Sequence, residues 1–300
     1  MCWPPYRPWC ATPRLRRCLR IYTGTSNIFL LLLADNPVEA PEPVLSAEIS
    51  VDYPERKGVL RCASIEVFRD ETLGLVGQSG SGKTTLALAI LRLLGHTGAH
   101  VYGRTMLLGR DLACANEREW RSVRGRLVSL VPQSPAAALN PALRIGTQLR
   151  EAWRAHSSEP WAGQRERVSA LFENVGLSPG ESFLKRFPAE ISVGQAQRVL
   201  IMMALLHSPP LLIADEPTSA LDLITQREVL DLLARTGQQR HMSMLFISHD
   251  LVAIAGLCHR LAILHEGEIV ECGPVKSVLA APRHPYTQKL VAAVPKWESA

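Results

Sequence analysis

The chain has 300 residues, 47% hydrophobic and 20% charged, enough for one large domain with a subdomain and in proportions ordinary for a soluble α/β protein. Of its 33 basic residues, five (Arg7, Arg14, Arg16, Arg17 and Arg20) fall in the first twenty positions, which hold no acid; the other 28 balance the 28 acidic residues, so a nucleic-acid footprint is not supported. The seven cysteines are scattered with no C-x-x-C pair, a set that reads as reduced thiols and not as metal ligands or disulfides.

Residues 1–43 differ from everything after them, being rich in Pro, Arg, Trp and Cys without helical or strand period. The apolar run Ile28–Ala34 is far shorter than the roughly 20 residues a membrane span needs. This stretch is expected to be a disordered leader, or upstream sequence from a mis-assigned start, outside the fold. Leu45–Tyr53 alternates apolar and polar residues, as a half-buried antiparallel strand does, and Val59–Phe68 reads as its partner. Tyr53 stands beside Pro54 at the turn, where an edge aromatic with a wet hydroxyl is one reading.

Thr72–Val76 is an apolar run suited to a buried parallel strand. It breaks into Gly77-Gln78-Ser79-Gly80-Ser81-Gly82-Lys83-Thr84-Thr85, which fits G-x-x-x-x-G-K-[ST]. The glycines allow a tight turn whose N–H groups point inward at phosphate oxygens. Lys83 supplies a mobile cation, Thr84 a hydroxyl for Mg²⁺, and the helix expected over Leu86–Leu94, ended by Gly95, the positive end of its dipole. Nucleotide binding follows from this loop. Further on, Val101–Leu108 reads as a strand pair and Leu127–Val131 as a buried strand ending at Gln133, which taken alone could be a plain turn residue.

From residue 134 to about 190 the pattern turns helical (about Ile145–Arg154 and Gln164–Val175), an insertion within the α/β fold. Ile191–His207 is a strong helix whose Ser192 and Gln195 match a capping box; its free N–H groups would suit an anion, although a capped core helix needs none. Leu211–Ala214 is a buried strand ending in Asp215-Glu216. Acids at the C-terminal end of a parallel strand lie where such sheets bind ligands; Asp215 suits Mg²⁺ through water, and Glu216 suits a general base for water attacking a γ-phosphate. A helix is expected over Thr225–Ala234, a strand over Met242–Ile247 ending at His249, and a hairpin of Leu261–His265 with Glu268–Cys272. An isolated His at a strand end is ordinarily hydrogen-bonded locally. Short helices close the chain around His284–Thr287.

Taken together, these pieces resemble the ATP-binding subunit of an ABC transporter over about Leu45 to Pro295. Gly77–Thr85 matches the Walker A loop, Leu211–Glu216 the Walker B strand with its catalytic Glu, and Ser219–Asp222 the D-loop. The resemblance implies that Gln133 contacts Mg²⁺ and the attacking water, that His249 touches the γ-phosphate, and that Tyr53 stacks on adenine. Ile191-Ser192-Val193-Gly194-Gln195 stands in place of the signature LSGGQ, with Val193 where the first glycine usually stands. In the family this signature faces ATP bound to the opposite subunit. The fold implied is α/β, a P-loop NTPase (RecA-like) core with an N-terminal antiparallel β subdomain and an inserted α-helical subdomain at about 134–205, within a 44–295 ATPase domain.

Phe187–Glu190, Asn140-Pro141 and His284–Thr287 resemble dipeptide, oligopeptide and nickel importers. The end at Ala300, without the cysteine-containing extension of many relatives, favours the shorter metal- or metallophore-type ones. The implied cofactors are ATP and Mg²⁺. The implied partners are transmembrane permease subunits, a second ATPase subunit and, indirectly, an extracytoplasmic solute-binding protein, with no nucleic acid. The implied location is peripheral, on the cytoplasmic face of the cell (inner) membrane. The alternative, a non-transport ABC ATPase of DNA repair or translation, needs a coiled-coil insertion or second ATPase domain, and the sequence has neither one heptad run nor a second Walker A loop. A P-loop kinase or GTPase has no use for the signature helix or His249, and a dead structural subunit does not need Lys83, Asp215, Glu216 and His249 together.

Overall fold

The computed structural model describes residues 42–177 and 180–293, so the expected leader lies outside the described residues except at its end, where Pro43 opens the first strand. In chain order the strands and helices are β1 (Pro43–Asp52), β2 (Leu60–Phe68), β3 (Thr72–Val76), α1 (Lys83–Ile90), β4 (His100–Leu107), β5 (Arg110–Asp111), α2 (Glu117–Val123) and β6 (Val128–Val131). Five helices without a strand follow: α3 (Pro135–Ala138), α4 (Ile145–Arg154), α5 (Arg165–Asn174), α6 (Glu181–Leu184) and α7 (Val193–Leu205). The chain then runs through β7 (Leu211–Asp215), α8 (Leu223–Arg240), β8 (Ser243–Ile247), α9 (Leu251–Leu257), β9 (Arg260–His265), β10 (Glu268–Pro274), α10 (Val275–Ala280) and α11 (Pro285–Ala292).

Two sheets result. The first, in order β2-β1-β4-β5, is antiparallel throughout. The second, β10-β9-β3-β8-β7-β6, is parallel from β9 to β6, with β10 added antiparallel at its edge. Period-2 alternation divides its side chains between two cores. Leu212, Ala214, Met244, Phe246, Leu261 and Ile263 face the cluster shared with the helices between β6 and β7. Leu211, Ile213, Leu245, Ile247, Ala262 and Leu264 face the cluster shared with α1 and the first sheet. Burial on both faces is why β3, β7 and β8 read as unbroken apolar runs: all five residues of each are buried.

Several boundaries differ from expectation. Val101–Leu108 is not a strand pair but mostly one strand, because all of β4 zips onto β1 and its hairpin partner β5 is only two residues long. The helix after the phosphate loop starts at Lys83 and stops at Ile90, short of Gly95, since Arg92 takes a left-handed φ of 53°. Helix α8 starts two residues before Thr225 and runs six past Ala234, to Arg240, ending on a left-handed His241. Among the described residues no helix is long and apolar enough to cross a membrane.

Candidate nucleotide site

The parallel order β3-β8-β7-β6 brings four strand ends side by side, and each delivers one functional side chain. β3 runs into the loop 77–82, which passes directly into α1. The turn requires Gly82, whose φ is 105°, and no side chain caps the first amides of α1, so they stay open for an anion. Lys83 is buried, and its Nζ donates to the carbonyl oxygens of Gly77 (2.9 Å) and Gln78 (3.1 Å), folding the side chain back over its own loop.

β7 ends in Asp215, 3% exposed, followed by Glu216. Burial pushes the Asp215 carboxyl above its usual range; a hydrogen bond from Thr84 opposes this, the adjacent Glu216 charge adds to it, and Lys83 opposes it. Asp215 Oδ1 has no hydrogen-bond partner. A buried carboxylate oxygen without a partner, a nearby threonine hydroxyl and the amide of Gln133 form an all-oxygen donor set that fits Mg²⁺. Among the described residues no group of three or more His, Cys, Asp or Glu is placed to hold a metal ion.

Glu216 is the meeting point. Lys83 Nζ lies 3.7 Å from its Oε1, Gln133 Nε2 donates to its Oε2 at 3.0 Å, and His249 Nδ1 is 3.4 Å from Oε2. Its backbone adopts φ 45°, unusual for a residue with a side chain, and is held there by an N–H bond to Ile247 O at 2.9 Å. Three residues, from beyond the ends of β3, β6 and β8, thus share the one carboxylate that follows β7. Tyr53 stands at the edge of this site, its hydroxyl 3.4 Å from Thr85 Oγ1.

The second set lies apart. Ser192 caps α7 with its hydroxyl accepting from Gln195 N–H (3.1 Å), while Gln195 Oε1 accepts from Ser192 N–H (3.1 Å), the reciprocal box expected. Val193 points outward, 52% exposed. Gly194 is required by close approach: a Cβ there would sit 2.7 Å from Thr225 Cγ2 on α8. Thr225 is held by Asp222, which accepts from the Ile224 and Thr225 amides and from the Thr225 hydroxyl at 2.7 Å. These bonds draw the Asp222 carboxyl below its usual range. Ser192, Gly194, Gln195 and Asp222 line one open groove to which no phosphate-loop residue contributes.

Sequence reasoning missed one contact. The Gln78 N–H donates to the hydroxyl of Tyr286, 2.9 Å away on α11. The His284–Thr287 stretch was visible as a motif, but nothing in the sequence joins it to residue 78.

The comparisons with known proteins point to one family. The family model described as "ABC transporter" matches residues 60–219, and that described as "Oligopeptide/dipeptide transporter, C-terminal region" matches residues 270–300. The dipeptide transport ATP-binding protein DppD of Escherichia coli (strain K12) is 36% identical over 253 residues, 83% of this chain and 77% of that protein. The peptidoglycan transport ATP-binding protein YejF of Agrobacterium fabrum is 42% identical over 78% of this chain and 43% of its own length. The glutathione import ATP-binding protein GsiA of Salmonella typhimurium is 38% identical over 79% of this chain and 39% of its own. The chain thus spans about two fifths of the length of GsiA and YejF. Among solved structures, an ATP-binding subunit of an ABC transporter superposes with a TM-score of 0.66 at 25% identity, covering 83% of this chain and 99% of that one. A dimeric ATP-binding cassette in a post-hydrolysis state superposes with a TM-score of 0.67 at 23% identity, covering 77% of this chain and 98% of that one, and shows likeness of fold.

Proposed function

The chain belongs to the ABC transporter ATPase family, in the branch that carries the oligopeptide/dipeptide transporter C-terminal region, and on that premise we propose that it binds and hydrolyses ATP to drive solute import through membrane permease subunits. The observation that carries the reading is the convergence of Lys83, Gln133 and His249 on Glu216, beside a phosphate loop with an uncapped helix start. In the proposed reaction the open amides of α1 and Lys83 hold the phosphates of ATP, and Tyr53 stacks on its adenine. Thr84 and Asp215, with Gln133, would hold Mg²⁺, which would supply neutralisation of the phosphate charge. Gln133 orients a water, Glu216 takes its proton as the oxygen attacks the γ-phosphorus and the bond to the bridging oxygen breaks, releasing ADP and phosphate, and His249 steadies the γ-phosphate.

Two such chains, or this chain and a homologous one, would enclose two nucleotides, with Ser192, Gly194 and Gln195 of one facing the nucleotide of the other. The helices between β6 and β7 would pass the closure to the permease at the cytoplasmic face of the membrane. The solute class favoured is a short peptide, since DppD is named for dipeptides and GsiA for glutathione; nickel or a metal chelate is the alternative within the same transport machinery. A role in DNA repair or translation is not favoured by these relatives.

The test is Mg²⁺-dependent ATP turnover by the purified chain, and ATP-dependent uptake of a labelled dipeptide by vesicles carrying it with its permease subunits. Lys83→Ala, which removes the single side-chain cation of the phosphate loop, should lower turnover by about 10²–10³. Turnover within a few-fold of the unmodified chain would overturn the site; turnover without dipeptide uptake would overturn the solute.

A further inference from the structure

Resting on the nucleotide-binding reading, we propose that Tyr286 is a positioning residue for the phosphate loop, through which the C-terminal helix α11 sets nucleotide affinity. Gln78 is pinned on both sides of its residue. Its carbonyl accepts from Lys83 Nζ at 3.1 Å, and its N–H donates to the Tyr286 hydroxyl at 2.9 Å. The amide therefore finds its partner in the protein and is not free to turn toward a phosphate. What it does instead is fix the entry of the loop, so that the following amides need not be ordered when the nucleotide arrives.

The tyrosine is itself immobilised. It is 9% exposed, and its ring stacks on His265 at the end of β9, with ring centres 3.8 Å apart and planes 13° from parallel. The start of α11 is tied to β10, since the Glu271 carboxylate accepts from the backbone N–H groups of Arg283 and His284, both at 3.0 Å. His284 in turn caps the helix by accepting from Tyr286 N–H at 3.2 Å. A continuous set of contacts thus leads from the sheet edge through α11 to the phosphate loop. Gln78, His249, His265, His284 and Tyr286 line one groove of about 740 Å³, so α11 borders the same face of the site as His249. Residue 78 lies in the segment matched by the general ABC transporter model and residue 286 in that matched by the oligopeptide/dipeptide C-terminal model, so the contact joins the shared ATPase to the part that marks this branch.

The test is binding of N-methylanthraniloyl-ATP with Mg²⁺ to the full chain, together with steady-state turnover. Tyr286→Phe keeps the ring and its stacking but removes the acceptor. It should raise Kd about three- to tenfold, the range of one lost hydrogen bond, and raise KM for ATP in parallel while leaving kcat at saturating ATP within twofold. Val278→Ala, a buried side chain of α10 that does not line the groove of Gln78 and Tyr286, controls for general loosening: it should lower the melting temperature without changing Kd. An unchanged Kd in Tyr286→Phe, or an equal rise in Val278→Ala, would overturn the proposal while leaving the nucleotide site intact. An unmodified chain that binds no nucleotide would overturn both.

Discussion

At the scale of single residues, the site holds its acids at a cost to the fold. Asp215 is 3% exposed with one oxygen unpartnered, and burial pushes its carboxyl above the usual range. Between the ordinary and the raised value the folded chain keeps a proton that the unfolded chain has released, so stability falls as pH rises through that window. At neutral pH the charge is therefore unfavourable until a cation and nucleotide arrive. Asp215→Asn removes the charge at nearly constant shape; without nucleotide it should melt roughly 2–4 °C higher than the unmodified chain, for about 1 kcal/mol relieved. The rise in melting temperature on adding Mg²⁺ and ATP should shrink or vanish. Scanning calorimetry with and without nucleotide checks both, and a variant that melts lower in the nucleotide-free state contradicts the account. The residues of the phosphate loop and of the Asp215-Glu216 pair were legible because their chemistry is local: a glycine spacing, or two acids ending an apolar run. Tyr286 was not, because its contact with Gln78 spans 208 positions and exists only through the packing of α11 on β9 and β10.

At the scale of elements, legibility followed the end signals. Ser192 and Gln195 marked the start of α7 in the sequence and cap it in the structure. Asp222 caps α8 by accepting from its first amides, without the reciprocal bond, and the helix starts two residues before the expected Thr225, at Leu223 and Ile224, which are apolar yet 83% and 75% exposed and so lie off any buried stripe. Its far end lies six residues beyond the expected Ala234, with Thr236 buried on the way to Arg240. β3, β6, β7 and β8 of the second sheet were plain as apolar runs and β9 with β10 as a hairpin, whereas β5, two residues long, is too short to leave a pattern. Val193 tests what the α7 start does. Its side chain is 52% exposed and adds nothing to the core, so Val193→Gly should cost at most about 1 kcal/mol of helix stability. Nucleotide affinity of the single chain should stay unchanged, because the α7 start shares no groove with the phosphate loop. A changed Kd in the monomer would place the signature on its own nucleotide and not on a partner's.

At the scale of the whole molecule, the proposed reading joins the two candidate faces through a second chain that closes on the first. The phosphate loop with Glu216 occupies one region, and the groove of Ser192, Gly194 and Asp222 another; beside them Val193, Leu223 and Ile224 are exposed apolar side chains, the kind of surface that a partner covers. Glu216→Gln separates closure from chemistry. Glutamine has nearly the same shape and can still meet Gln133 and Lys83, but it cannot take a proton from water, so binding should survive while turnover falls by about 10²–10⁴. Bound ATP then persists, and whatever conformation binds it is favoured by mass action. The Glu216→Gln chain with Mg²⁺ and ATP should therefore elute from a sizing column as a dimer, and with ADP as a monomer, because ADP lacks the γ-phosphate for the second chain's Ser192 and Gly194 to grasp. Adding Val193→Trp to the same chain should return it to a monomer, since that side chain is exposed on the groove of Ser192 and Gly194 and the added bulk stands where the partner must come. A dimer that forms equally with ADP, or that survives Val193→Trp, would mean that the two chains meet elsewhere. If instead Glu216→Gln turns over ATP at the unmodified rate, Glu216 is not the base, and its shared contacts with Lys83, Gln133 and His249 serve the fold alone.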